Sequence, residues 1–334
     1  MSKTLIIAEV GVNHNGDIKI AEKLIEAAAN AGADIVKFQS FISSELTTDQ
    51  ALQAEYQIKN TKKVNTQKQM LKNLEFNRNQ FEYIRDCCVR NNIEFLSTAF
   101  DSQSLKMLNS FDMKRIKIPS GEITNFPYLL EIGALGKPVI LSTGISNLIE
   151  INQAISALLQ SGMSKKEITI LHCTSEYPAP IEEVNLNAMS TIRETFGTNV
   201  GYSDHTEGIE VSIGAVALGA KIIEKHITLD KNLDGPDHKA SIEINEFKMM
   251  INCIRSLEIA LGSFEKKPSK SELKNKNIIR KSIVASKDIK KGDTFSADNL
   301  TSKRPGNGLS PMFWNQIIGD ISTRDYKKDD QIIS

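Results

Sequence analysis

The chain has 334 residues with 41 basic and 41 acidic side chains, so its formal charge balances to zero. That balance argues against nucleic acid or an anionic membrane as the main partner, and no apolar run approaches the ~18–20 residues that span a bilayer. Hydrophobic residues at 40% and charged ones at 25% are ordinary globular chemistry, sufficient for a sizeable core.

The N-terminal MSKTLIIAEVGVNHNG holds an apolar stretch too short for a signal peptide, and it reads as a first strand. From there, short runs of Ile, Val and Leu alternate with stretches of helical period, the mark of a parallel sheet with crossover helices. The predicted strands are Leu5–Val10, Asp34–Gln39, Glu94–Thr98, Arg115–Pro119, Pro138–Thr143, Ile168–Cys173, Val200–Ser203 and Lys221–His226. Helices are predicted over Ile18–Ala31, with Gly32 as its C-terminal cap, and over Gln80–Arg90, Glu150–Gln160, Leu186–Thr195 and Ile209–Leu218. Eight such units close most naturally into a (β/α)₈ TIM barrel; an open doubly wound sheet is the alternative, but no GxGxxG follows the first strand.

Two segments interrupt the beat. Ser40–Glu75 is a long polar insertion after the second strand, of a length that suggests a substrate-covering loop. The second, within 263–277, is dense in Lys, Ser and Glu and reads as a linker. Residues 1–262 are therefore expected to form the barrel and 278–334 a small, mostly β domain. The four cysteines make no CxxC pair or disulfide framework, so reduced thiols in a cytoplasmic protein are expected. His172 and Cys173 adjoin, but neighbours in a strand point to opposite faces, which disfavours a nucleophile pair.

Barrel active sites are built at the C-terminal strand ends, and here those ends are polar in all eight strands. Lys37 and Lys117 stand inside apolar runs, where an ammonium needs a partner or a ligand. One reading is an internal salt bridge to Glu9 or Glu122. A second is a cationic cradle for a phosphate or carboxylate, helped by the hydroxyls of Thr98 and Ser120. A third is a Schiff-base aldolase. His205 and His226 end strands seven and eight, neighbours in a barrel, and could share a metal ion or simply hydrogen-bond. His14 is a further ligand or a hydrogen bonder, while His172 and His238 are unassigned. Glu122, beside Gly121, is the best-placed carboxylate for general acid/base work.

The set AEVGVNHNG, VKFQSF, FLSTAFD, IKIPSGEITN, LSTG, HCTSEYPAP, GYSDHT, IEKHITLD, GPDHKAS and KRPGNGLSP resembles, in order and nearly end to end, the bacterial sialic acid synthases. The resemblance implies a barrel joined to a C-terminal antifreeze-like (SAF) domain, in domain-swapped homodimers. It also implies condensation of phosphoenolpyruvate with N-acetylmannosamine, release of phosphate, and a divalent ion, Mn²⁺ with Mg²⁺ or Co²⁺ as alternatives. By the same resemblance His205 and His226 hold the metal. Lys37, Thr98, Lys117, Ser120 and Ser203 bind phosphoenolpyruvate, with Glu9 and Gln39 beside them, and Glu122 is the acid/base. Tyr177 and Asp237 contact the amino sugar, and Arg304 reaches the partner subunit's barrel. Ser175 departs from the pattern, since some relatives have Asn there. N-acetylneuraminate is the first expectation for the product; legionaminate, made from 2,4-diacetamido-2,4,6-trideoxymannose, is the close alternative.

Overall fold

The computed structural model describes residues 3–61 and 66–333. They divide into two compact units, Met1–Gly262 and Ser263–Ser334.

In the first unit, eight parallel strands follow one another around a closed sheet: β1 (Leu5–Gly11), β2 (Ile35–Ser40), β3 (Glu94–Ala99), β4 (Ile116–Ile118), β5 (Val139–Ser142), β6 (Ile168–Cys173), β7 (Asn199–Asp204) and β8 (Ile222–Thr228). Strand β8 pairs back onto β1, with Leu5 opposite Ile222 and Glu9 opposite His226, so no edge is left open. A short β9 (Ile242–Glu243) extends β8. The strands are apolar on both faces because one face fills the barrel and the other meets the helices. Interior space is tight: a Cβ at Gly201 would come 2.5 Å from the Ile222 carbonyl oxygen and 2.6 Å from Leu171 Cδ2.

The helices are α1 (Ile18–Ala31), α2 (Ser43–Leu46), α3 (Glu55–Thr61), α4 (Gln67–Lys72), α5 (Arg78–Arg90), α6 (Ser102–Asn109), α7 (Phe126–Gly133), α8 (Leu148–Gln160), α9 (Ala188–Phe196), α10 (Glu210–Ala217) and α11 (Ile244–Leu261). Helix α1 has the predicted bounds because both ends are capped. The Asp17 side chain accepts from the Lys19 N–H, and Gly32 closes the helix at φ 94°, where glycine carries no Cβ penalty. Its buried stripe of Ala21, Leu24, Ile25, Ala28 and Ala31 packs into the core around the strands.

The insertion expected as a covering loop contains α2, α3 and α4; residues 62–65 within it lie outside the described residues. Met70, Leu71 and Leu74 from this segment join Val12 and Phe41 in a small apolar cluster of their own.

The second unit carries α12 (Lys270–Ile279), an antiparallel pair β10 (Ser282–Ala285) and β11 (Leu300–Lys303), and α13 (Trp314–Ile317). Its separate core gathers Ile283, Ile289, Phe295, Leu300, Ile317, Tyr326 and Ile332. Much of the segment expected as a linker is helical, because Ser269 and Glu272 form a reciprocal capping box at the start of α12.

Candidate active site

Strand parity builds the site. Alternate residues of a strand face the barrel interior, so Glu9, Lys37, Thr98, Lys117, Ser142, Cys173, Ser203, Glu224 and His226 converge at the C-terminal mouth and line a cavity of about 250 Å³. The residues between them face outward. Lys225 pairs with Asp204 at 2.9 Å and donates to the Thr206 carbonyl, and Ser212 of α10 donates to Asp204, a buried network tying β7, β8 and α10 together. His172 likewise faces away from the cavity, 2.7 Å from the Val184 carbonyl oxygen, while Cys173 faces inward.

At the cavity floor, Lys37 Nζ lies 2.8 Å from Glu9 Oε2, 3.0 Å from Thr98 Oγ1 and 3.7 Å from Glu224 Oε1. Lys117 donates to Ser142 Oγ at 2.6 Å and stands 3.7 Å from the same Glu224 oxygen. The internal salt bridge is formed, to Glu9 and not to Glu122: two ammonium groups share two carboxylates, all nearly sealed from solvent. Burial pushes the Glu9 carboxyl up to about 7, against the pull of Lys37. Burial also works on Glu224, but Lys117 and Lys37 outweigh it and hold that carboxyl down. Burial lowers Lys117, whereas for Lys37 it is overcome by Glu224 and Glu9.

Beside this floor, the His205 and His226 rings lie 5.5 Å apart between centroids. His205 Nδ1 is 2.6 Å from the Thr174 carbonyl oxygen, so it is the N–H that donates and Nε2 carries the lone pair. His226 Nδ1 is buried without a hydrogen-bond partner, 4.0 Å from Asp237 Oδ2. Burial lowers both imidazoles, keeping them neutral, and raises Asp237 to about 6. A fixed lone pair and an unpartnered buried nitrogen on adjacent strands fit a divalent ion. Among the described residues no three His, Cys, Asp or Glu side chains stand close enough to hold one alone, so water or substrate would complete the set. Tyr177 packs its ring 4.3 Å from that of His205.

Of the residues singled out in the sequence, Glu9, Lys37, Gln39, Thr98, Lys117, Ser120, Ser175, Tyr177, Ser203, His205, His226 and Asp237 all border the cavity. Two do not. Glu122 ends the turn of 3₁₀ helix Ser120–Glu122 and accepts from Asn125 Nδ2 at 2.6 Å, so its carboxylate points along the rim and away from the floor. Arg304 belongs to the second unit, where its Nε donates to the Ile279 carbonyl. His14 is a hydrogen bonder: it stacks on Phe76 at 3.9 Å and accepts from the Gly16 N–H at Nδ1. Sequence reasoning passed over Glu224, although it stands two residues before His226 and so shares its face. Ser203 donates to it at 3.1 Å.

The sequence model of the NeuB family matches residues 24–266, and that of the SAF domain matches 280–332. This chain belongs to the NeuB family. Among its NeuB-type relatives, the N,N'-diacetyllegionaminic acid synthase of Campylobacter jejuni is 54% identical over 332 residues, covering 99% of each chain. The protein of the same name from Legionella pneumophila is 46% identical over 94% of this chain and 89% of its own length. The solved structure of the N-acetylneuraminic acid (sialic acid) synthetase of Leptospira borgpetersenii, in complex with citrate, aligns with a TM-score of 0.73 and 33% identity, covering 82% of this chain and 90% of that one. Such membership makes the chain an enzyme of nonulosonic acid synthesis. No helix among the described residues is long and apolar enough to cross a membrane.

Proposed function

We propose that this enzyme condenses phosphoenolpyruvate with 2,4-diacetamido-2,4,6-trideoxymannose and water, giving N,N'-diacetyllegionaminate and phosphate. The sequence reading put N-acetylmannosamine first. The end-to-end identity to two diacetyllegionaminate synthases reverses that order. The reaction class rests on one observation above the rest, the paired lysines at the cavity floor beside two neutral histidines.

Lys37 and Lys117, with the hydroxyls of Thr98, Ser120 and Ser203, hold the phosphate and carboxylate of phosphoenolpyruvate, matching fixed cations to charges that persist and grow through the reaction. Anion binding there displaces carboxylate partners: Glu9, already pushed up to about 7, takes up a proton more readily than Glu224. His205 and His226 would hold a divalent ion, Mn²⁺ or a similar one, with Asp237 and Tyr177 against the sugar. A bound ion supplies Lewis-acid polarisation of the open-chain aldehyde. The lysines keep C3 of phosphoenolpyruvate in line with that aldehyde carbon as the C–C bond forms and the new alkoxide takes a proton. Glu122 removes the proton from the water that adds to C2, having turned inward from the rim; its neighbours Ser120 and Gly121 already border the cavity. Collapse at C2 then breaks the C–O bond: the C2 hydroxyl gives up its proton to the departing phosphate, which leaves with the electron pair, and C2 becomes the ketone. Arg304, serving the partner subunit's barrel in a swapped homodimer, completes the proposal.

Phosphoenolpyruvate labelled with ¹⁸O in its C–O–P bridge tests the chemistry. Label in the released phosphate supports C–O cleavage; label kept in the sugar acid refutes it.

A further inference from the structure

Six described residues other than glycine adopt a positive φ. Five of them are Asn or Asp, whose short polar side chains tolerate the left-handed region. The sixth is Ile145, at φ 59°, a β-branched residue in a conformation that crowds its branch. Its surroundings hold the turn in place. Thr143, just before, donates from its backbone and from its hydroxyl to the Leu171 carbonyl. The N–H of Gly144 donates to Ser120 Oγ, and a Cβ at Gly144 would come 2.0 Å from Ser175 Oγ. On the other side Ser146 donates to the Gly144 carbonyl and Asn147 caps α8. The backbone at 145 thus favours Gly or Asn, yet the residue is a large apolar one.

Nor does the core account for it. Ile145 is 87% exposed, and it borders the mouth cavity. A strained position that gains no burial is the kind found where a side chain serves a ligand. The side chain itself indicates which part of a ligand it would meet. The floor of the cavity is charged, and Ile145 offers its mouth an apolar side chain beside the loop after β5, while Val12, Met70, Leu71, Leu74 and Phe100 form a separate apolar wall.

We propose that Ile145 is an acceptor-specificity residue, presented in the left-handed conformation so that its side chain packs on a methyl that distinguishes the incoming sugar, that of its 4-acetamido group or its C6 deoxy carbon. This rests on the diacetamido-sugar reading and names the surface that enforces it. Burying one such methyl is favourable, whereas an acceptor with hydroxyls at those positions gains nothing there.

The test is kcat/KM for 2,4-diacetamido-2,4,6-trideoxymannose and for N-acetylmannosamine with the full-length enzyme, comparing wild type, Ile145→Asn and Ile145→Leu. Asn suits the backbone, so Ile145→Asn should fold with an unchanged or higher Tm. Its kcat/KM for the diacetamido sugar should fall about tenfold through KM, with the KM for phosphoenolpyruvate and the activity on N-acetylmannosamine unchanged, and Ile145→Leu should recover most of the loss. Equal losses with both acceptors, or no loss, would overturn the proposal. So would a change in oligomeric state with acceptor kinetics intact, which would give the side chain to a subunit contact. Wild type inactive with the diacetamido sugar sinks the functional reading and this inference together; wild type active and Ile145→Asn unaltered sinks this inference alone.

Discussion

Lys37 places its ammonium 2.8 Å from the Glu9 carboxylate across the β1–β2 pairing, with both side chains at most 4% exposed. Removing one partner of a buried pair leaves an uncompensated charge, at a cost of about 3–5 kcal/mol. Lys37→Met is therefore expected to lose stability of that order in urea unfolding, since the buried Glu9 carboxyl then loses its nearest cation. The double variant Lys37→Met, Glu9→Leu should recover a good part of it. A double variant no more stable than the single one would mean that packing, and not the stranded carboxylate, sets the cost.

Glu122 and Glu224 divide two roles. Glu122→Gln should lower kcat at least about a hundredfold, the usual scale of a lost acid/base group, with little change in the KM for phosphoenolpyruvate. An unchanged kcat would remove Glu122 and leave Glu9, raised to about 7, as the carboxyl best matched to proton transfer near neutrality. Glu224→Gln should act differently, disturbing phosphoenolpyruvate binding itself, because this ionised carboxylate holds the two lysines and the Ser203 hydroxyl in place.

Stability should fall with acid through the buried imidazoles. Burial, with help from His238, lowers His14 from 6.5 to about 3. A depressed folded-state value means that the unfolded chain takes up the proton first, so the contribution is fully present above about 6.5 and is lost as pH falls toward 3. One such group gives a slope of about 1.4 kcal/mol per pH unit between those limits. His14→Phe keeps the stack on Phe76 and should flatten the urea-derived stability profile between pH 6 and 4 by about one proton. An unchanged slope would show that His14 is not among the responsible groups.

Sharing of sites between subunits can be read by mixing two inactive proteins. Under the proposed sharing, Lys117→Met should disable the barrel floor, and Arg304→Ala should disable what the second unit is proposed to contribute. Subunits exchanged between the two variants should regain activity in those hybrids that pair an intact barrel with an intact partner Arg304. No recovery after proven exchange would place Arg304 outside the partner's site.

The barrel was legible because parallel strands, buried on both faces, read as apolar runs, and because Gly32 marks the end of α1. Site residues inside those runs were equally plain: Lys37 and Lys117 are conspicuous among Ile, Val and Phe. Glu224 was missed for want of parity. In IEKHIT it looks like one charge in a polar tail, but counting back two from His226 puts it on the inner face and leaves Lys225 on the outer one. Glu122 shows the opposite case. Position along the chain suggested the mouth, while at the end of the 3₁₀ turn after Pro119 its carboxylate accepts from Asn125. The helix inside the expected linker was signalled by Ser269 and Glu272 at capping-box spacing, masked by a lysine-rich composition.

Phosphate release from phosphoenolpyruvate with Mn²⁺, measured with the two acceptor sugars side by side, decides which acceptor the enzyme uses. Rapid release with 2,4-diacetamido-2,4,6-trideoxymannose and little with N-acetylmannosamine is the expected result. Efficient release with N-acetylmannosamine alone would contradict the proposed acceptor, and silence with both would contradict the proposed substrates altogether.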